Sequence, residues 1–314
     1  MCYNISMVDK KDKKYCPHGE KSIMKERKRR FGDRYDGRRL RTLSPMSYVS
    51  PYIMKTRVTS SNYIRDKFDT EKAEEYVRKK RDEGLKGFGM MHVLIASYIR
   101  VVSQRPGINR FIAGQRIFAR NCIDVMLTIK LDMTLNAPDT VIKAKFNPDA
   151  TAEDVYNELT RIIDGYRENP GGGFDNAAKA LSHIPGLVLR FAVACLRTLD
   201  YFGLLPKFLE NVSPFHGSFF ITSMGSLGIP PIYHHLYDFG NVPVFLSFGA
   251  VERKNELQDD GSVKQKRYIE YNVVTDERVC DGFYFASALK MMKKILKNPF
   301  CLDEKPAEIV EDID

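Results

Sequence analysis

The sequence predicts an α+β domain built on one large sheet, and three observations carry that prediction. Residues 123–131 place Ile123, Val125, Leu127, Ile129 and Leu131 at alternate positions with Asp124, Thr128 and Lys130 between them, the pattern of a half-buried strand. Residues 90–104 (MMHVLIASYIRVVSQ) are apolar nearly all round at helical length, so that helix must be covered on most sides. Helix-like and strand-like segments then succeed one another along the chain, which favours mixed layers over a bundle or a sandwich. With 314 residues and 43% hydrophobic content the chain can bury one large core or two ordinary ones.

The elements follow in order. Residues 16–41 are dense in charge and poor in aliphatics, predicting a basic arm over 1–41 that is partly disordered or wraps a neighbour. Folded pattern starts near Leu43 and defines a domain over 42–314. Ala73, Tyr76, Val77 and Lys80 fall at helical spacing within 70–83, and Gly84 offers a stop. The apolar helix 90–104 ends at Pro106-Gly107. After strand 123–131, Thr151 and Asp154 form a capping-box-like start to a helix whose face is Val155, Leu159, Ile162, Ile163 and Tyr166. NPGGGFDN (169–176) is a flexible break. Residues 187–202 are apolar but interrupted by Arg190, Arg197 and Asp200, which favours a packed or partner-facing helix over a membrane-surface one. Residues 217–224, 242–251 and 266–275 read as strands, the last two joined by a polar loop containing DDG, and 283–297 is a closing helix stopped by Pro299.

Charge and cysteine usage bound the function. Residues 1–41 hold 14 of the 49 Lys and Arg but only 6 of the 40 Asp and Glu, so the arm carries +8 of the net +9. The basicity belongs to the arm, not the domain. Six cysteines without CxxC or metal-ligand spacing suit free thiols in a reducing, cytoplasmic setting and give no metal site. No apolar region opens the chain as a secretory signal would, and no charge-free run reaches the length of a membrane span.

The C-terminal half contains in order GSFFITSMGSLGIPP, NVPVFLSFGAV and TDERVCDGFYFASALKMMKKILKNP, and the N-terminal half contains MMHVLIASYIRVVSQRPGINRFI. This series resembles the catalytic domain of the dihydrolipoyl acyltransferases of 2-oxo acid dehydrogenase complexes and, more distantly, chloramphenicol acetyltransferase. The resemblance covers roughly 40–299. It implies a chloramphenicol acetyltransferase-like α/β sandwich, a large mixed sheet with flanking helices, assembled as a homotrimer whose active sites lie between subunits. The family motif Asp-His-Arg-x-x-Asp-Gly is matched by Asp276-Glu277-Arg278-Val279-Cys280-Asp281-Gly282, with Glu277 in the histidine's place.

In the family that histidine takes a proton from the thiol of coenzyme A or dihydrolipoamide so that sulfur can attack an acyl carbonyl. The resemblance therefore assigns Glu277 as the altered base, Arg278 and Asp281 as the residues that orient the turn, and Thr222 as the hydroxyl that steadies the oxyanion from a neighbouring subunit. It implies acyl-coenzyme A as co-substrate. About 40 residues precede the resemblance and show no lipoyl-lysine hairpin pattern, so no covalent lipoyl group is expected. A carboxylate of ordinary pKa about 4.3 matches a thiol of about 8.5 less well than imidazole does.

Three readings follow: an altered thiol-dependent acyltransferase, a catalytically degenerate trimer that binds a ligand or serves as a scaffold, or a nucleic-acid or membrane role of the basic arm. For Glu277 the structural alternative is an ion pair with Arg278 or another cation. His234 and His235 in PPIYHHLYDFG are candidates for a relocated base, or for a polar surface turn or an interface hydrogen bond, while His92 and His216 read as structural. Cys280 reads as a small buried residue, and Gly225, Gly228, Pro230 and Pro231 as a tight loop. Tight nucleic-acid binding by the arm is not expected.

Overall fold

The computed structural model describes residues 28–130, 139–168, 179 and 181–314. A six-stranded mixed sheet in the order β2-β9-β8-β7-β5-β6 dominates it: β2 (Ser61–Asp69), β5 (Ile123–Lys130), β6 (Asp139–Phe146), β7 (Phe219–Ser223), β8 (Val244–Leu257) and β9 (Val263–Asp276). β7 runs parallel to β5 and β8, and the other pairs are antiparallel. A smaller sheet, β1-β4-β3, joins β1 (Gly37–Arg39), β3 (Arg110–Ala113) and β4 (Arg116–Arg120).

The alternation read in 123–131 decides how the main sheet packs. Ile123, Val125 and Leu127 face the same way as Phe219, Ile221, Val244, Leu246, Tyr271 and Val273, and this side is buried under helices. The covering helices are α2 (Glu71–Asp82), α3 (Met90–Gln104), α4 (Ala152–Glu168) and α7 (Gly282–Lys297). The apolar α3 sits among the other three, as its composition requires. Thr151 and Asp154 cap α4 reciprocally, with Thr151 N donating to Asp154 Oδ2 at 2.8 Å and Asp154 N to Thr151 Oγ1 at 3.2 Å. On the opposite sheet face a smaller apolar cluster of Met126, Phe220, Phe245 and Val274 is buried beneath Leu236 and Val242 of the loop between β7 and β8.

Several elements were not expected. Ser44 caps α1 (Pro45–Ile53), accepting from Ser47 N at 3.2 Å with Pro45 at the first helical position, where its missing N–H costs nothing. β8 and β9 run on to the hairpin turn at 258–262, well beyond the 251 and 266 limits suggested by composition. Past the end of β2 the outer part of β8 alternates exposed and half-buried side chains, and that of β9 is mostly exposed.

The basic arm from residue 28 onward is ordered, and four of its arginines are answered within the chain. β1 lies within it. Arg34 is buried, with Nε 2.9 Å from Asp36 Oδ1 and Nη2 2.9 Å from Asp200 Oδ1. Arg30 pairs with Asp314, Arg38 donates to the carbonyl of Asp312, and Arg41 pairs with Asp33. Residues 1–27, where the rest of the arm falls, lie outside the described residues, as does the break at 169–176.

α5 (Gly186–Tyr201) matches the apolar 187–202 segment, but none of its residues is buried within one chain. A shorter helix, α6 (Lys207–Val212), follows and lies against β6, where Lys143 Nζ donates to the Glu210 carbonyl at 2.7 Å.

Candidate functional site

The motif turn is built around a buried ion pair that leaves Glu277 outside it. Arg278 grips Asp276 in two-pronged fashion, with Nε to Oδ1 at 2.8 Å and Nη2 to Oδ2 at 2.6 Å, and its Nη1 reaches the Met54 carbonyl at 3.1 Å. Ser60 Oγ adds a bond to Asp276 Oδ1 at 3.2 Å. Both charged residues are buried. A third buried group, Arg57, stands behind them and donates to the carbonyls of Tyr237, Asp238 and Gly240. Burial pushes the Arg57 guanidinium down to about 10, partly offset by the Asp276 charge.

The ion pair between Glu277 and Arg278 that the sequence offered as an alternative is therefore not formed, because Asp276 occupies the guanidinium. Alternation explains it. Asp276 ends β9 facing inward, Glu277 is the next residue and faces out, and Arg278 turns back in. Glu277 N bonds to the Ser60 carbonyl at 2.9 Å while its carboxylate is exposed, with no hydrogen bond or ion pair among the described residues. Asp281 caps α7, its Oδ1 accepting from Tyr284 N at 2.8 Å.

Thr222 lies near the far end of β7. Cross-strand register aligns Thr222 with Ser247, Ser247 with Asn272, and Asn272 with Arg65, so four polar side chains cross the sheet face away from the helices. The loop after β7 consumes two of them: Ser247 Oγ accepts from Ile232 N at 3.1 Å and Asn272 Nδ2 donates to the Pro231 carbonyl at 3.0 Å. Thr222 is half-buried, and its hydroxyl has no partner among the described residues. This loop is the tight turn its glycines and prolines predict: a Cβ on Gly225 would stand 2.7 Å from the Gly249 carbonyl oxygen, and Gly228 has φ +71°.

One chain does not bring Glu277 and Thr222 together. Thr222 is level with Asn272, five residues back along β9 and two strands across, a separation of roughly 20 Å at standard strand spacing. Exposed apolar side chains surround each of them: Ile53 and Val58 on the segment packed beneath the motif turn, and Leu227, Ile229 and Tyr233 on the loop beside Thr222. A cavity of about 30 Å³ between the sheet, α3 and α7 is lined by neither residue.

The remaining candidates are structural in placement. Burial drives the His92 imidazole down to about 4, and its Nδ1 accepts from Gly89 N at 3.1 Å. Buried His216 lies 2.8 Å from Ser213 Oγ and 3.5 Å from Asp200 Oδ2. His234 stacks on Phe245, its ring 3.8 Å away, and Nδ1 donates to the His235 carbonyl at 2.7 Å. Burial raises the Cys280 thiol, the reverse of what a nucleophile needs. Sequence reasoning missed Asp276, Ser60 and Arg57. The Asp-x-Arg spacing at 276–278 was legible as a salt-bridge signal, whereas nothing local marks Arg57.

A scan of family models finds no match to the chain, and no curated protein matches it in sequence. Solved structures do match. A probable dihydrolipoamide acetyltransferase from Listeria monocytogenes superimposes with TM-score 0.52 at 12% identity, covering 83% of this chain and 95% of that one. The fold is acyltransferase-like. The Azotobacter vinelandii dihydrolipoamide acetyltransferase (TM-score 0.48, 12% identity, 82% and 88% covered) and a chloramphenicol acetyltransferase (0.47, 14%, 80% and 94%) also align. At these identities the likeness extends to the mixed sheet and its flanking helices, not to individual side chains.

Proposed function

We propose that the protein is a thiol-dependent acyltransferase whose site is completed between copies of the chain, with Glu277 of one facing Thr222 of the next in a homotrimer. The observation that supports the reading is the presence of two chemically competent groups, each left without an intrachain side-chain partner among the described residues and each bordered by exposed apolar side chains. A closed ring of three matches such unlike surfaces head to tail. The buried Asp276–Arg278 pair fixes the turn that presents Glu277, and Asp281 fixes the start of α7 behind it.

In this arrangement the Glu277 carboxylate takes the proton of an acceptor thiol as its sulfur bonds to the acyl carbonyl carbon. The Thr222 hydroxyl donates to the carbonyl oxygen as it gains negative charge. Collapse of the intermediate expels the donor's thiolate, which regains a proton from Glu277. Acyl-coenzyme A is the donor that fits the reading. No lipoyl group is needed on this chain.

Glu277→Gln should cut transfer from acetyl-coenzyme A to a thiol acceptor by at least about 100-fold, and Thr222→Ala by about 100- to 1,000-fold. Glu277→His should retain or raise transfer. Because Arg278 keeps Asp276, none of these changes should lower stability by more than about 0.5 kcal/mol. Unchanged transfer in Glu277→Gln would sink the assignment. A folded Glu277→His protein inactive with every thiol and hydroxyl acceptor would point instead to a ligand-binding or scaffolding trimer, the reading that the unheld Glu277 carboxylate favours second.

A further inference from the structure

We propose that α5 and the turn after it form a docking surface for an anionic lipid bilayer. At 100° per residue the helix has three sides. Leu189, Ala192, Val193, Leu196 and Asp200 fall together and are its half-buried residues, the side turned to the body. Leu187, Val188, Phe191 and Leu199, continued by Phe202 at the helix end, form a strip within about 120° on the outer side. Leu187 is 85%, Phe191 71% and Phe202 67% exposed. Arg190 and Arg197 fall together on the third side, flanking the strip, with no ion pair among the described residues. Leu204 and Phe208, both 67% exposed, extend the apolar surface past Gly203 toward Lys207.

Charge selects the occupant. Between residues 181 and 209 the only acid is Asp200, and Arg34 holds it. A second copy seated strip to strip would bring its own two arginines against these two, with no free acid on either helix to answer them, whereas lipid phosphates neutralise them. A bilayer interface accepts both sides at once: leucine and phenylalanine enter the acyl boundary while the arginines reach up to the headgroups. The helix is 16 residues long, and no helix among the described residues is long and apolar enough to cross a membrane, so α5 lies in the interface plane. Neither Glu277 nor Thr222 belongs to this surface, and the inference stands apart from acyl transfer.

The 314-residue chain has no tryptophan, so Phe191→Trp supplies a single reporter in it. With vesicles of phosphatidylcholine and phosphatidylglycerol its emission should shift to the blue and be quenched by brominated acyl chains, and it should change little with phosphatidylcholine alone. In co-sedimentation, the paired changes Leu187→Glu and Phe191→Glu should lower partitioning at least about tenfold. Arg190→Gln with Arg197→Gln should lower it about fivefold per charge removed and flatten its salt dependence. Oligomeric state by light scattering should be unchanged in every variant. An unquenched tryptophan in the Phe191→Trp protein overturns the proposal, as does partitioning indifferent to the arginine pair. Smaller assemblies in the Leu187→Glu, Phe191→Glu protein would make the strip an interface between copies instead.

Discussion

Asp276 and Glu277 are adjacent acids with opposite energetic roles. Asp276 is 1% exposed and neutralises Arg278 while facing Arg57, so Asp276→Ala leaves two buried guanidiniums beside an empty site. Urea unfolding should show a loss of about 3–5 kcal/mol, against almost none for Glu277→Gln. A second residue sets a pH dependence. Burial pushes the Glu210 carboxyl up to about 7 against the pull of Arg34, and Tyr35 donates its hydroxyl to the same group. An acid whose folded pKa exceeds its ordinary 4.5 takes up a proton on folding, so its contribution falls as pH rises from about 4.5 to about 7 and is level above. The difference is of order 3 kcal/mol. Glu210→Gln should remove that slope and be relatively more stable near pH 8, measured by unfolding across the range; an unchanged slope would refute the assignment.

Among the elements, α7 tests whether Asp281 works through the helix. Its carboxylate caps the first turn, so Asp281→Ala should cost about 1 kcal/mol while Asp281→Asn, an equally good cap, should cost a few tenths at most. Equal losses in the two variants would show that charge, not capping, is what the position supplies. If transfer falls in Asp281→Ala and survives in Asp281→Asn, the residue acts by placing the turn. The projecting β8–β9 hairpin and the exposed apolar face of α1, with Met46, Tyr52 and Ile53, are elements that one chain leaves uncovered.

For the whole molecule, those uncovered surfaces and the split between Glu277 and Thr222 predict a trimer by sedimentation equilibrium. A monomer at micromolar concentration would remove the intersubunit site. The arm predicts weak nucleic-acid binding. Arg30, Arg34, Arg38 and Arg41 are engaged by Asp314, Asp200, the 312–314 segment and Asp33, which takes four of the arm's cations out of competition for phosphates. Filter binding to generic DNA at physiological salt should give dissociation constants above roughly micromolar.

The sequence by itself determined the elements whose pattern is locally complete. Strand 123–131, the all-apolar helix 90–104, the Thr151/Asp154 cap and the closing helix each appear within a residue or two of their expected bounds, because period and caps are properties of neighbouring residues. β2 was not legible, since SNYIRDKFD mixes charge into both faces and becomes a strand by pairing with β9 over nine residues. β6 carries a strand signal in Ile142, Ala144 and Phe146 alternating with Lys143 and Lys145. At the site, residue types along one motif marked Glu277, Arg278 and Asp281. Only the tertiary structure decided that Arg278 answers to Asp276, that Arg57 stands behind both, and that Thr222 lies two strands and five residues away. Pattern along a chain reports which groups are present, whereas partners and distances come from strand register and helix packing, which join residues hundreds of positions apart.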